Sequence, residues 1–184
     1  MKNSILSIVL LFAFSFSAFA QNENKLVSKK THFKFYSHTA AEDIEADNYK
    51  SVGTINTETG SIIFSVPMQS FEFEKALMQK HYNSKKFLNT KAFPKAKLKG
   101  KISNLSDIDF TSDGTYNINV EGELTLHGVT KNVSEKATIT IKGSNIVLNS
   151  TLNLTLSDYE IAFKGGKPST NIAKTLKVTV VAEY

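Results

Sequence analysis

Residues 95–102 read KAKLKGKI. Lys95, Lys97, Lys99 and Lys101 share one phase of a period of two, and Ala96, Leu98, Gly100 and Ile102 share the other. A helix would scatter both sets around its circumference. An extended strand separates them, because successive side chains leave a strand on opposite faces. The same alternation runs through most of the chain, which therefore has to fold as sheet with one apolar and one polar face. Phe33 and Phe35 share a face in 31–38, and Ile62, Phe64, Val66 and Met68 do so in 61–68. Tyr116, Ile118, Val120, Leu124 and Leu126 align in 115–126. Leu148, Leu152, Leu154 and Leu156 align in 145–156, and Leu176, Val178, Val180 and Ala182 in 175–184. Two less regular segments, 44–57 and 131–142, complete a predicted set of eight strands.

Thr59-Gly60, Asp113-Gly114, His127-Gly128 and Gly143-Ser144 supply turn signals between them. Long antiparallel strands with tight turns suit a closed barrel, which leaves no exposed edge. The expected fold is all-β, an eight-stranded antiparallel barrel whose interior is filled by side chains or holds one small ligand. Between the third and fourth strands, 71–89 breaks the alternation. Phe73, Leu77 and His81 recur at i, i+4 and i+8, with Met78 and Tyr82 alongside, the pattern of an amphipathic helix. A short turn carrying Phe87 and Leu88 follows, and Pro94 ends it. This insert is expected to cover one mouth of the barrel, with Phe71, Phe73, Leu77 and Met78 as a lid.

Period two does not say which face is inside. A soluble barrel is apolar inside, and an outer-membrane barrel is apolar outside. Ala96 and Gly100 would make a poor lipid-facing band, and the chain has no Trp for an aromatic girdle. A barrel that is not membrane-integral is expected.

The first residues, MKNSILSIVLLFAFSFSAFAQ, have Lys2 as a positive start, an apolar run from Ile5 to Phe19, and Ala18-x-Ala20 before Gln21. That is the pattern of a cleaved secretory signal peptide over 1–20. Residues 21–30 read as a flexible lead-in and 31–184 as one domain. With no Cys, disulfides are excluded, and stability rests on packing and hydrogen bonds. The net charge is +5, with Lys as the only basic residue apart from four His. Arg is the preferred bidentate reader of bases and phosphates, so its absence argues against nucleic acid as a partner.

His32, His38, His81 and His127 do not form a His-x-x-x-His or His-Glu-x-x-His pattern. His32 and His38 lie about 20 Å apart along one strand, too far to share a metal. There is no Gly-x-Ser-x-Gly elbow and no phosphate loop. Asp107 and Asp109 read as a solvated loop. No catalytic set, metal site or cofactor is expected. His127 reads as a turn or surface residue, because it falls off the phase of Leu124 and Leu126. Glu135 is the irregularity. It shares the apolar phase of Val133, Ala137, Ile139 and Ile141, where a buried carboxylate is costly. Either a bulge or rim position puts it in water, or it contacts a ligand head group. Lys174, in phase with Leu176, has the same two readings.

Residues 122–133, GELTLHGVTKNV, resemble a signature of the YceI-like family, described as lipid- or polyisoprenoid-binding. HYNSKKFLNTKAFPKAKLKG, residues 81–100, is similar to a second family segment. The resemblance covers about 30–184. It implies a lipocalin-like barrel with helices at one side, location in the periplasm, and a long isoprenoid chain held inside by a protein that is not an enzyme. It leaves the oligomeric state open, a homodimer among the options. The chain departs from the family at Gln79-Lys80-His81, at Ser157-Asp158-Tyr159-Glu160 and at Glu135, which puts the head group in doubt. Pocket lining is expected from Phe33, Phe35, Phe64, Val66, Leu98 and Tyr116. Ile118, Leu152, Leu154, Leu176 and Val178 join them, with Phe87 and the lid residues. The rival reading is an envelope structural or stress-related barrel, its core plugged by its own side chains; thirteen Phe supply the bulk.

Overall fold

The structure is a computed structural model and describes residues 24–161 and 171–184. The expected signal peptide and the first three residues of the lead-in lie outside the described residues. Ten strands form one antiparallel sheet: β1 (Lys25–Val27), β2 (Lys30–His38), β3 (Asp43–Asn48), β4 (Val52–Asn56), β5 (Ser61–Pro67), β6 (Lys95–Ile102), β7 (Gly114–Leu126), β8 (Val129–Lys142), β9 (Asn145–Thr155) and β10 (Thr175–Glu183). Their order is β1-β4-β5-β6-β7-β8-β9-β10-β2-β3, and the sheet curls into a half-barrel. This corrects the eight-stranded expectation, and two local causes account for the difference.

The first cause is a break in 44–57. β3 pairs with β2, ending at Phe33↔Asn48, whereas β4 pairs with β5 from Val52↔Ser65. One expected strand therefore splits, and its halves join opposite ends of the sheet. Asn48, fully buried, holds the break. Its Nδ2 donates to the Pro67 carbonyl (2.8 Å), and its Oδ1 accepts from Lys50 N (2.9 Å) and Ser51 Oγ (3.0 Å). Asn48→Ala would strand the Lys50 N–H and the Pro67 carbonyl at once. A loss of about 2–4 kcal/mol in chemical denaturation is expected. The second cause is Lys25–Val27, where a frayed lead-in was expected. These residues pair with Thr54–Asn56 of β4, and Leu26 packs on the core.

The apolar phase points inward. Ala96 and Ile102 of β6 are buried, while Lys95, Lys97, Lys99 and Lys101 are exposed on its outer face. Those lysines, beside Glu121 and Glu123 of β7, are the reverse of a lipid-facing band. No helix among the described residues is long and apolar enough to cross a membrane. At one end of the sheet the interior is filled. Ile141 opposes Ile146 there, while Ala137 opposite Ile118 and Leu148 opposite Ile139 mark its border with the other end. All six are buried.

The insert between β5 and β6 contains one helix, α1 (Ala76–Asn83). It is shorter than expected and rotated. Phe73 lies before its start, so the phase counted from Phe73 does not hold. Leu77 is 62% exposed, and Met78 and Tyr82 face the sheet instead.

Candidate functional site

The other end of the half-barrel is hollow. It holds a cavity of about 520 Å³, within the range of about 300–1,000 Å³ typical of ligand sites. Its walls come from inward positions of successive strands. β2 gives Phe33 and Phe35, β5 gives Phe64 and Val66, and β6 gives Leu98. Leu152 and Leu154 come from β9, and Leu176 and Val178 from β10. Leu124 of β7, Leu148 of β9 and Val180 of β10 also line it, although they were not singled out from the sequence. Their signal was present, since each shares the inward phase of its strand.

The insert closes one side with aromatic rings. Tyr82 lies 4.9 Å from Phe73, 5.8 Å from Phe71, 5.9 Å from Phe35 and 6.4 Å from Phe87, ring centre to ring centre. Edge and offset contacts of this kind add to simple area burial. Phe71, Phe73, Met78 and Phe87 all line the cavity. The Tyr82 hydroxyl is buried without a hydrogen-bond partner among the described residues, and burial pushes its pKa well above that of a free tyrosine. Exposed His81, Lys86 and Lys97 stand where the cavity meets the surface.

Four expected positions fall elsewhere. Leu77 points to solvent. Tyr116 is half-buried near the filled end, where its hydroxyl donates to the Ser112 carbonyl (3.3 Å). Ile118 is sealed in that end, away from the cavity wall. Lys174 is exposed and off the cavity, because β10 begins only at Thr175 and the alternation does not extend before it.

Glu135 does line the cavity. It sits directly opposite Val120, itself buried on the inner face, so strand register aims its side chain inward. No bulge interrupts the β7–β8 ladder at this point. The residue is half-buried, no ion pair or hydrogen bond to its carboxylate is found among the described residues, and burial raises its pKa above the usual carboxylate value of 4.5. A raised folded-state pKa means that stability falls as pH rises from the unfolded value through the folded one. Glu135→Gln is therefore expected to be more stable than wild type at neutral pH. The gain is no more than about 1 kcal/mol, because the group is only half-buried. It should vanish below pH 4.5, as thermal midpoints at the two pH values will show.

The β8–β9 ladder ends at Ala137↔Ser150, although β8 starts at Val129 and β9 continues to Thr155. Over the unpaired stretches β8 stays bonded to β7 and β9 to β10. The wall therefore parts between them. Ser150 Oγ donates to the Lys136 carbonyl (2.9 Å) at the apex of this window. The base is closed by His127, whose Nδ1 donates to the carbonyl of Tyr159 (3.1 Å) in the 3-10 turn Leu156–Tyr159. His127 is buried rather than on the surface, and of its two expected roles the turn is the one it fills. With φ of 51° and 81°, His127 and Gly128 form a two-residue hairpin turn, and Phe93 packs edge-on against the imidazole at 4.5 Å.

The remaining titratable candidates serve local structure. His32 and His38 each donate to an aspartate on the outer face, Asp47 and Asp43, at 2.6 Å. Asp109 accepts from Ser112 Oγ and Thr111 Oγ1 at 2.6 Å, which holds its pKa down to about 2. No group of three or more His, Asp or Glu among the described residues could hold a metal ion.

The model of the YceI-like domain matches residues 24–184. The chain belongs to the YceI-like family. A UPF0312 protein of Pseudomonas putida (strain W619) is 32% identical over 119 residues, 61% of this chain and 58% of that relative, so the match spans little more than half of the relative's length. A second UPF0312 protein of P. putida (strain F1) is 29% identical over 156 residues, covering 82% of this chain and 78% of its own. Among solved structures, a polyisoprenoid-binding domain from Saccharophagus degradans superposes with a TM-score of 0.72 at 14% identity, over 88% of this chain and 97% of that one. BcnA of Burkholderia cenocepacia superposes with a TM-score of 0.69 at 15% identity, over 84% and 96%. These two likenesses establish the fold that the YceI-like chain adopts.

Proposed function

We propose that this YceI-like chain is a periplasmic binding or carrier protein that takes an apolar, isoprenoid-type chain into the hollow end of its half-barrel. The cavity of about 520 Å³ carries this reading, because the surface of its walls is predominantly apolar, with Phe, Leu, Val, Ile and Met the main contributors. Burial of a hydrocarbon chain there would drive binding at about 0.8 kcal/mol per CH₂ before ordering costs. The description of the S. degradans domain as polyisoprenoid-binding supports the ligand class, and the pattern of residues 1–20 supports export. The cavity also weighs against a core plugged by its own phenylalanines. Among the described residues no nucleophile–base pair is built into the walls, so the role proposed is binding without chemistry.

The test is native mass spectrometry of the mature chain released by osmotic shock, before and after incubation with a prenyl alcohol. Release with the soluble fraction and a mass increment from a bound apolar chain are expected. Retention in the membrane fraction overturns the location. A protein that stays empty after incubation overturns the carrier role.

A further inference from the structure

The geometry points to Glu135 as a selectivity residue that admits amphiphiles whose head group donates hydrogen bonds, a protonated amine best and an alcohol next, and turns away those ending in an anion. This rests on the cavity being the binding site and goes beyond it by naming the head group.

β8 aims Glu135 at the interior, opposite Val120, where its immediate inward neighbours Val133 and Ala137 are apolar and the next residue in phase towards the open end, Lys131, is exposed. A carboxylate in such surroundings loses hydration, and this costs free energy unless donors replace the water. Among the described residues none does. The ion pairs found among the described residues lie off β8, and Ser150, paired with Ala137 at the apex of the window, spends its hydroxyl on the Lys136 carbonyl. The carboxylate is thus a standing acceptor in a stretch of wall whose nearest inward residues, Val120, Val133 and Ala137, are apolar.

Its position explains how a head group would meet it. Glu135 stands two residues from Ala137, where β8 and β9 separate, with half-buried Leu152 and Leu154 lining the cavity from the β9 side. A chain lying against Leu152, Leu154, Leu176 and Val178 places its end at the window, beside Glu135. A donor there replaces lost hydration with a charge-assisted hydrogen bond. A phosphate or carboxylate there meets a like charge at low dielectric. The competing anchor is the rim by α1, where Lys86 and His81 would favour an anion. Head groups of opposite sign therefore report which end of the cavity holds the polar terminus.

The experiment uses the mature chain, a fluorescent apolar probe, and three competitors with the same C18 chain: an amine, an alcohol and a carboxylic acid. Displacement is measured at neutral pH and at matched ionic strength. The amine is expected to compete about tenfold or more better than the acid, with the alcohol between them. In Glu135→Gln the amine should lose about tenfold while the alcohol changes little, and Glu135→Lys should reverse the order. Equal competition by all three, or a preference of the wild type for the acid, overturns the selectivity while leaving the cavity reading intact. The same ranking in Glu135→Gln also overturns it. If none of the three displaces the probe, the cavity reading falls and this inference falls with it.

Discussion

Replacing Leu98 and Leu152 together by tryptophan is expected to weaken uptake of a prenyl chain by about 100-fold or more while leaving the fold intact. The two side chains enter the cavity from β6 and β9, strands separated in the sheet by β7 and β8, and both are only partly buried. Each has room to grow into open volume. A 100-fold loss is about 2.7 kcal/mol, or three to four displaced CH₂ groups at about 0.8 kcal/mol each. Two indoles exclude at least that much chain from 520 Å³. Filling empty apolar volume tends to stabilise, so the thermal midpoint should hold or rise. Probe displacement and a thermal scan read the two effects separately. Undiminished uptake by a folded double variant would place the ligand outside the cavity. Truncating an aromatic is the weaker test. Phe64 is buried and meets Phe33 edge-on at 5.6 Å. Its replacement by Ala would cost about 3–5 kcal/mol whether or not the cavity serves a ligand.

The cavity was legible because its walls are a local property. Period two within a strand fixes which side chains share a face, and Phe33, Phe64, Leu98, Leu154 and Leu176 need no knowledge of their neighbours to be placed together. Glu135 was legible for the same reason, as a break in an otherwise apolar phase. What remained hidden depends on partners distant in sequence. The break at Asn48 is held by the Pro67 carbonyl, 19 residues away. His127 is buried because Phe93 and Tyr159 close over it from outside the hairpin that its own residues encode. The window between β8 and β9 stayed hidden because the polar residues that interrupt the two apolar phases beside it, Glu135 and Ser150, do not by themselves say that pairing stops there. Helix phase failed at Leu77 because the count began before the helix does, and strand phase failed at Lys174 because it was carried past the strand end. Periodicity assigns faces only within an element, so errors gathered at element boundaries.

Among the described glycines, Gly122→Ala is expected to be the most destabilising alanine substitution, by about 3 kcal/mol or more. Gly122 of β7 is paired directly with Gly100 of β6. A methyl at Gly122 would press on the Lys99 carbonyl and on the Cα of Gly100, both backbone atoms that no rotamer change can move aside. At Gly100 the corresponding methyl would lie 2.9 Å from the Glu121 carbonyl and 3.2 Å from a methyl of Val120, which has some freedom to shift. At Gly143 nothing lies within 4 Å, and the cost is limited to a φ of +56°, about 1–2 kcal/mol for a residue with a Cβ. Alanine at the three sites should therefore rank Gly122, Gly100, Gly143 in decreasing loss, read as denaturation midpoints at constant slope. Gly122 stands between Val120 and Leu124, two cavity-lining residues of the same wall. The close approach of β6 and β7 there fixes how that wall curves around the hollow end. Equal losses at all three sites would mean that the two strands yield at this crossing, and the shape of the cavity would then have to be held by the aromatic insert instead.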